Sequence, residues 1–133
     1  MKLKQAINNI NNGLLDPIYI LRGNDYYLQN LFLEKLSSIY FKNGTVNRML
    51  LLPDDMTGKE IVDSITNNDL FSSKKIFILR EPQKLKGKHS AELLNICKNP
   101  NEEQIIVFIN DDWTSKSTFL RKIEGIVESI DVQ

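Results

Sequence analysis

The chain is poor in the residues that most covalent chemistry requires. Its 133 residues include one cysteine, Cys97, and one histidine, His89. A single cysteine cannot close an internal disulfide, and a lone histidine among scattered carboxylates offers no metal-ligand spacing. No metal and no cofactor is therefore expected. Cys97 ends the apolar stretch Leu93-Leu94-Asn95-Ile96-Cys97 and reads as a buried small hydrophobe rather than a nucleophile. An excess of one charge is missing too: 17 Lys+Arg balance 17 Asp+Glu. A dedicated nucleic-acid binder normally carries a basic surplus. There is no secretory leader and no apolar run of membrane-spanning length, which points to the cytoplasm and away from a membrane partner. Repeats, low-complexity segments and linkers are also absent, and the length suits one domain, read here as 1–133.

Short apolar runs separated by amphipathic stretches make up the rest. Leu3, Ile7 and Ile10 recur at helical spacing, and Gly13 closes that helix. Ile18 to Leu21 is a continuous apolar run. Asn24 or Asp25 can cap the next helix, which turns Leu28, Phe32, Leu36 and Ile39 to one side. Met49 to Leu52 is the second run. Thr57 with Glu60 has the form of a capping box ahead of Ile61, Val62 and Ile65. The third run is Ile76 to Leu79, followed by a basic loop, Lys84 to His89. Ser90 is the expected cap of a helix with Leu93, Leu94 and Cys97 inward. The fourth run is Ile105 to Ile109. A helix is expected from about Ser115 to Glu124, stopped by Gly125, and a fifth strand over Ile126 to Ile130. Strands apolar on both faces and separated by helices predict an α/β three-layer sandwich around a five-stranded parallel sheet.

Ligands of such sheets bind beyond the carboxyl ends of the strands. A P-loop there requires GxxxxGK followed by Ser or Thr, so that backbone amides surround the phosphates and the lysine reaches the terminal ones. The chain instead has Gly23-Asn24-Asp25-Tyr26-Tyr27-Leu28-Gln29-Asn30. The second glycine, the lysine and the hydroxyl are missing, and the Asp25 carboxylate repels phosphate. After the third run stands Arg80 where a magnesium-binding acid is needed. Gly23, Asn24, Asp25 and Arg80 thus read as a degenerate, inactive nucleotide site with no catalytic residue. A phosphate-receiver domain fails for a related reason. Asp25 matches its first acidic cluster poorly, and Arg80 stands where its phosphorylated aspartate belongs. A nucleotide-dependent enzyme or switch on a doubly wound α/β fold remains the alternative function.

The ordered set "PIYILRGNDYYLQNLFLEKL", "ITNNDLFSSKKIFILREPQKLKGK", "NEEQIIVFIND" and "KSTFLRKIEGIVESIDV" resembles the amino-terminal domain of the delta subunit of bacterial DNA polymerase III, a clamp-loader component. The likeness runs from about Pro17 to the end. It implies an AAA+ type, P-loop NTPase-like domain that has lost its own nucleotide site. It also implies a longer subunit, whose helical lid and collar are absent from this sequence, and partners in the other clamp-loader subunits and the ring-shaped sliding clamp (beta subunit). No intrinsic enzymatic activity is expected, within the DNA-directed DNA polymerase III holoenzyme.

Leu70 and Phe71 stand at a polar corner between Asn67-Asn68-Asp69 and Ser72-Ser73-Lys74-Lys75. On their chemistry alone they are either a helix-to-strand plug tucked under the sheet or an exposed apolar hot spot. The resemblance selects the second: Leu70 and Phe71 bind the hydrophobic pocket of the clamp and help open the ring, with Asp69, Ser72 and Ser73 as rim. Lys84, Lys86 and Lys88 are candidate DNA contacts, although a solvated loop explains them equally well and no aromatic residues interleave them. DNA is accordingly expected to bind weakly or through the complex. Trp113 is either a contact for a neighbouring subunit or a packing residue at a helix start.

Overall fold

The computed structural model describes residues 1–67, 74–112 and 117–133. Five parallel strands form one sheet in the order β2-β3-β4-β1-β5. In chain order the elements are α1 (Leu3–Asn11), β1 (Ile18–Arg22), α2 (Tyr26–Phe41), β2 (Arg48–Leu51), α3 (Gly58–Thr66) and β3 (Lys75–Arg80). A single 3-10 turn (Pro82–Lys84), α4 (Gly87–Lys98), β4 (Gln104–Asn110), α5 (Thr118–Glu124) and β5 (Ile130–Asp131) complete it.

Register explains why the strands are apolar throughout. One row across the sheet is Met49, Phe77, Ile106 and Ile18. The next row is Leu50, Ile78, Val107 and Tyr19. Successive side chains of a strand point to opposite faces, so the rows alternate between two cores. Phe77, Ile106 and Ile18 pack against Ile61 and Ile65 of α3, Leu93 and Cys97 of α4, and Phe119 and Ile123 of α5. Ile78, Val107 and Tyr19 pack instead under Ala6 and Ile10 of α1 and Phe32, Leu33 and Leu36 of α2. The result is the expected three-layer sandwich. Cys97 is buried in it, and burial pushes its thiol up to about 12, as befits a core residue.

Two helix starts carry the caps that the sequence predicts. Thr57 and Glu60 close a reciprocal capping box on α3. Asp25, rather than Asn24, caps α2, its Oδ1 accepting from Leu28 N at 3.1 Å.

Four expectations need correction. The fifth strand is Ile130–Asp131, not Ile126 to Ile130. The amides of Ile126 and Val127 both donate to the Ile123 carbonyl, so those apolar residues continue the turn after α5. Helix α4 begins at Gly87, with Lys86 at the cap; the Ser90 hydroxyl donates back to the Gly87 carbonyl. The stretch from Lys84 to His89 is therefore a 3-10 turn and a first helical turn rather than a loop. Helix α5 is capped by Ser117 and starts at Thr118. Finally, β2 is an edge strand and leaves Leu50 49% exposed, so this apolar run is not buried throughout. Among the described residues no helix is long and apolar enough to cross a membrane.

Candidate functional site

The carboxyl ends of β1, β3 and β4 bring Arg22, Arg80 and Asn110 to one edge of the sheet. The connection from β1 to α2 is only Gly23-Asn24-Asp25. It is held on three sides. The Gly23 amide donates to the Asn110 carbonyl at 3.0 Å. The Gly23 carbonyl accepts from Gln29 Nε2 at 2.8 Å. The Asp25 amide donates to the Val132 carbonyl, while the Val132 amide donates to the Arg22 carbonyl.

Glycine is required at this turn. Gly23 has φ +134, and a Cβ there would lie 2.5 Å from the Val132 carbonyl oxygen. Backbone from the β5 segment thus packs directly on the place where a P-loop would begin. Val132 is fully buried, and so is Gln29. The three-residue connection also differs from a P-loop, whose longer Gly-rich loop lets successive amides face phosphate.

Arg80 belongs to the same edge. Its Nη1 lies 3.5 Å from Asp111 Oδ2, with side chains 23% and 19% exposed. Its guanidinium also lies 5.6 Å from the ring centroid of Tyr26. At the position where the sequence suggested a missing metal-binding acid, the Arg80 guanidinium is paired with Asp111, the residue that follows β4. Gly23, Asn24, Asp25 and Arg80, singled out from sequence, therefore converge. Gln29, Asn110, Asp111 and Val132 complete the cluster and were missed. The available signal was Gln29, a polar residue on the apolar side of α2 three positions before Phe32. Among the described residues no group of three or more His, Cys, Asp or Glu can hold a metal.

The three lysines differ. Lys84 Nζ lies 2.8 Å from Asp54 Oδ2 and 3.0 Å from Glu81 Oε2. These bonds raise the lysine's pKa, with Asp54 as the largest cause, and lower that of Asp54. Lys86 and Lys88 are exposed at the start of α4. Asp69, Leu70, Phe71, Ser72 and Ser73 lie outside the described residues, as does Trp113. Their flanks, Asn67 after α3 and Lys74 before β3, are exposed. In a parallel sheet the start of β3 is at the end opposite Arg80.

The fold is that of the P-loop NTPases. It matches the P-loop NTPase domain of the sigma-54 transport activator of E. coli with a TM-score of 0.63 at 10% identity, covering 98% of this chain and 95% of that one. More particularly, it is similar to the DNA clamp loader delta protein of Bacillus subtilis, with a TM-score of 0.76 at 11% identity over 98% of this chain. A DNA polymerase III gamma subunit-related protein of Thermotoga maritima matches at TM-score 0.62 and 16% identity, again over 98% of this chain. The chain spans 42% of the delta protein's length and 45% of the gamma-related protein's. No protein-family model matches the chain, and no curated protein matches it by sequence.

Proposed function

We propose that this chain is a non-catalytic clamp-loader domain, comparable to the amino-terminal domain of a DNA polymerase III delta subunit. It binds the sliding clamp and promotes ring opening during DNA replication. The carrying observation is the closed β1–α2 connection, sealed by Gln29 and Val132, on a fold shared with a clamp loader delta protein. A domain in which intramolecular hydrogen bonds occupy the place of a nucleotide works through binding. Leu70 and Phe71 supply the apolar contact, with Asp69, Ser72 and Ser73 around it, on a segment between α3 and β3. Contacts that favour an open ring over a closed one shift an existing equilibrium, and no bond chemistry is needed.

In this reading the domain 1–133 works in the cytoplasm within a longer subunit whose lid and collar contact the other clamp-loader subunits. DNA contacts through Lys86 and Lys88 are weak, and Lys84 is already neutralised by Asp54 and Glu81. The test is capture of the cognate sliding clamp by the immobilised chain, with nucleotide binding measured in parallel by calorimetry. Saturable clamp binding without nucleotide binding supports the reading. Magnesium-dependent nucleotide binding without clamp binding would favour a nucleotide-dependent enzyme or switch instead.

A further inference from the structure

The two edges of the sheet differ. Beyond β5 the Asp131 amide donates to the Met1 carbonyl, and Lys2 forms a parallel bridge to Asp131. Beyond β2, no strand among the described residues pairs. Hydrogen-bond polarity decides which backbone groups are left there. The Ile76 amide donates to the Asn47 carbonyl, and the Lys75 amide donates to the Glu103 carbonyl on the other side. With Arg48 in register with Ile76 and Leu50 with Ile78, Asn47, Met49 and Leu51 turn their peptide groups toward β3. The amides and carbonyls of Arg48 and Leu50 therefore point to the open edge. The Leu52 carbonyl is engaged by the amides of Asp55 and Met56, which ends the strand.

The side chains along this edge do not guard it. Guarded edges carry lysine, inward-pointing charge or a covering segment. Here Leu50 is 49% exposed, and Val46, just before the strand, is 56% exposed. Arg48 is the one charge between Val46 and Leu51. Its Nη1 lies 2.8 Å from Glu34 Oε1 on α2, so the edge presents no net charge.

We propose that β2 is a pairing edge for a second copy of this chain, joined antiparallel about a two-fold axis at Met49. In that register Arg48 lies opposite Leu50 of the second copy, and Leu50 opposite its Arg48. Both pairs then exchange both of their backbone hydrogen bonds, using every group left open. The Arg48 stem covers the exposed leucine while its guanidinium stays with Glu34. The alternatives are worse. An axis at Arg48 sets like charges directly opposite. An axis at Leu50 requires Leu52, whose carbonyl is already engaged. A head-to-tail continuation needs a second open edge, and Met1 and Lys2 occupy the other one. The pairing uses no residue between α3 and β3 and does not depend on the clamp-binding reading.

Sedimentation equilibrium of the full chain should show a reversible monomer–dimer equilibrium at concentrations up to about 1 mM, the weak end of specific association. Leu50→Lys sets an ammonium opposite Arg48 of the second copy, twice in each dimer. It should weaken the dimer about tenfold or more and leave the melting temperature unchanged, since the position is exposed. Met49→Cys should give a disulfide-linked dimer under mild oxidation, because its mate across the axis lies about 4.5 Å away between Cα atoms. Val46→Cys, far from the axis, should not. Cys97 is buried and does not compete. Should Leu50→Lys fail to fold, the cross-linking pair decides alone. A chain monomeric to about 1 mM would overturn the inference and leave the edge to a strand of another protein. A dimer unchanged in folded Leu50→Lys, or cross-linking as efficient at position 46 as at 49, would overturn it as well.

Discussion

Gln29 Nε2 donates to the Gly23 carbonyl at 2.8 Å, tying the buried side of α2 back onto the turn that precedes it. The same turn is pinned from the other side by Val132. A loop that must cradle phosphate keeps its amides free for the ligand; this one turns its backbone toward protein.

Gly23→Ala should therefore be strongly destabilising. The residue holds φ +134, and the new Cβ would meet the Val132 carbonyl oxygen at 2.5 Å and its carbon at 2.7 Å. Both obstacles are backbone, so no side-chain rotation relieves them. Unfavourable backbone geometry alone costs about 1–3 kcal/mol, and the contact adds to it. Urea denaturation should show a loss of about 2 kcal/mol or more. A change under about 0.5 kcal/mol, the usual range for a harmless surface substitution, would mean that the turn is not closed as described.

Placing an acid at position 80 should not confer nucleotide binding. Arg80→Asp places a carboxylate where a magnesium site would need one, but the connection after β1 remains three residues long, without lysine or hydroxyl. Calorimetry with magnesium and ATP should show no binding for the parent chain or for the variant. The variant also places two carboxylates together at Asp111, so its melting temperature should fall. Micromolar nucleotide binding by either protein would refute the assignment of this edge.

The sheet was legible because its strands are apolar on both faces, which only a covered parallel sheet requires. What misled was local sequence whose meaning depends on neighbours. Ile126 and Val127 look like the start of a strand, yet their amides turn back on the Ile123 carbonyl and continue the end of α5. Ser90 has the chemistry of a helix cap, but Lys86 occupies that place and the Ser90 hydroxyl bonds Gly87. The Met49 to Leu52 run looks central, whereas strand order puts β2 at an edge. At the candidate site, Gly23 and Arg80 were visible as departures from a motif. Asp111 and Val132 were not, because only strand order brings β4 and the β5 segment beside them.

The Asp54–Lys84 pair should make stability depend on pH at both extremes. The hydrogen bond from Lys84 holds the Asp54 carboxyl below its ordinary 3.8, and Asp54, then Glu81, hold Lys84 above its ordinary 10.5. The stabilisation is fully present above the unfolded carboxyl's value and is lost as pH falls through the depressed one. At the basic end it is present below the unfolded lysine's value and lost as pH rises through the raised one. The denaturation midpoints of parent and Lys84→Met should differ near neutrality and converge in acid below the Asp54 value. High salt should narrow the difference too, since the groups are exposed. A gap constant into strong acid would rule out the pair as its source. Weak retention of DNA should be unaltered in the same variant, because Lys84 is already paired.

Replacing Leu70 and Phe71 together by alanine separates the two readings of that corner. If the pair is an exposed apolar contact for the sliding clamp, each side chain is a hot spot worth about 2 kcal/mol or more. Clamp affinity should then fall by more than about a hundredfold, every 1.4 kcal/mol being about tenfold. Folding stability should stay within about 0.5 kcal/mol of the parent, as surface substitutions usually do. If the pair instead plugs the core between α3 and β3, truncating the phenylalanine alone costs about 3–5 kcal/mol of stability. Any loss of clamp binding would then follow from unfolding. Melting curves and surface-plasmon binding of the double variant distinguish these outcomes. A folded variant with full clamp affinity would refute the contact, and a folded variant with none would place it at Leu70 and Phe71. The second result is the one that the proposed clamp-binding function requires.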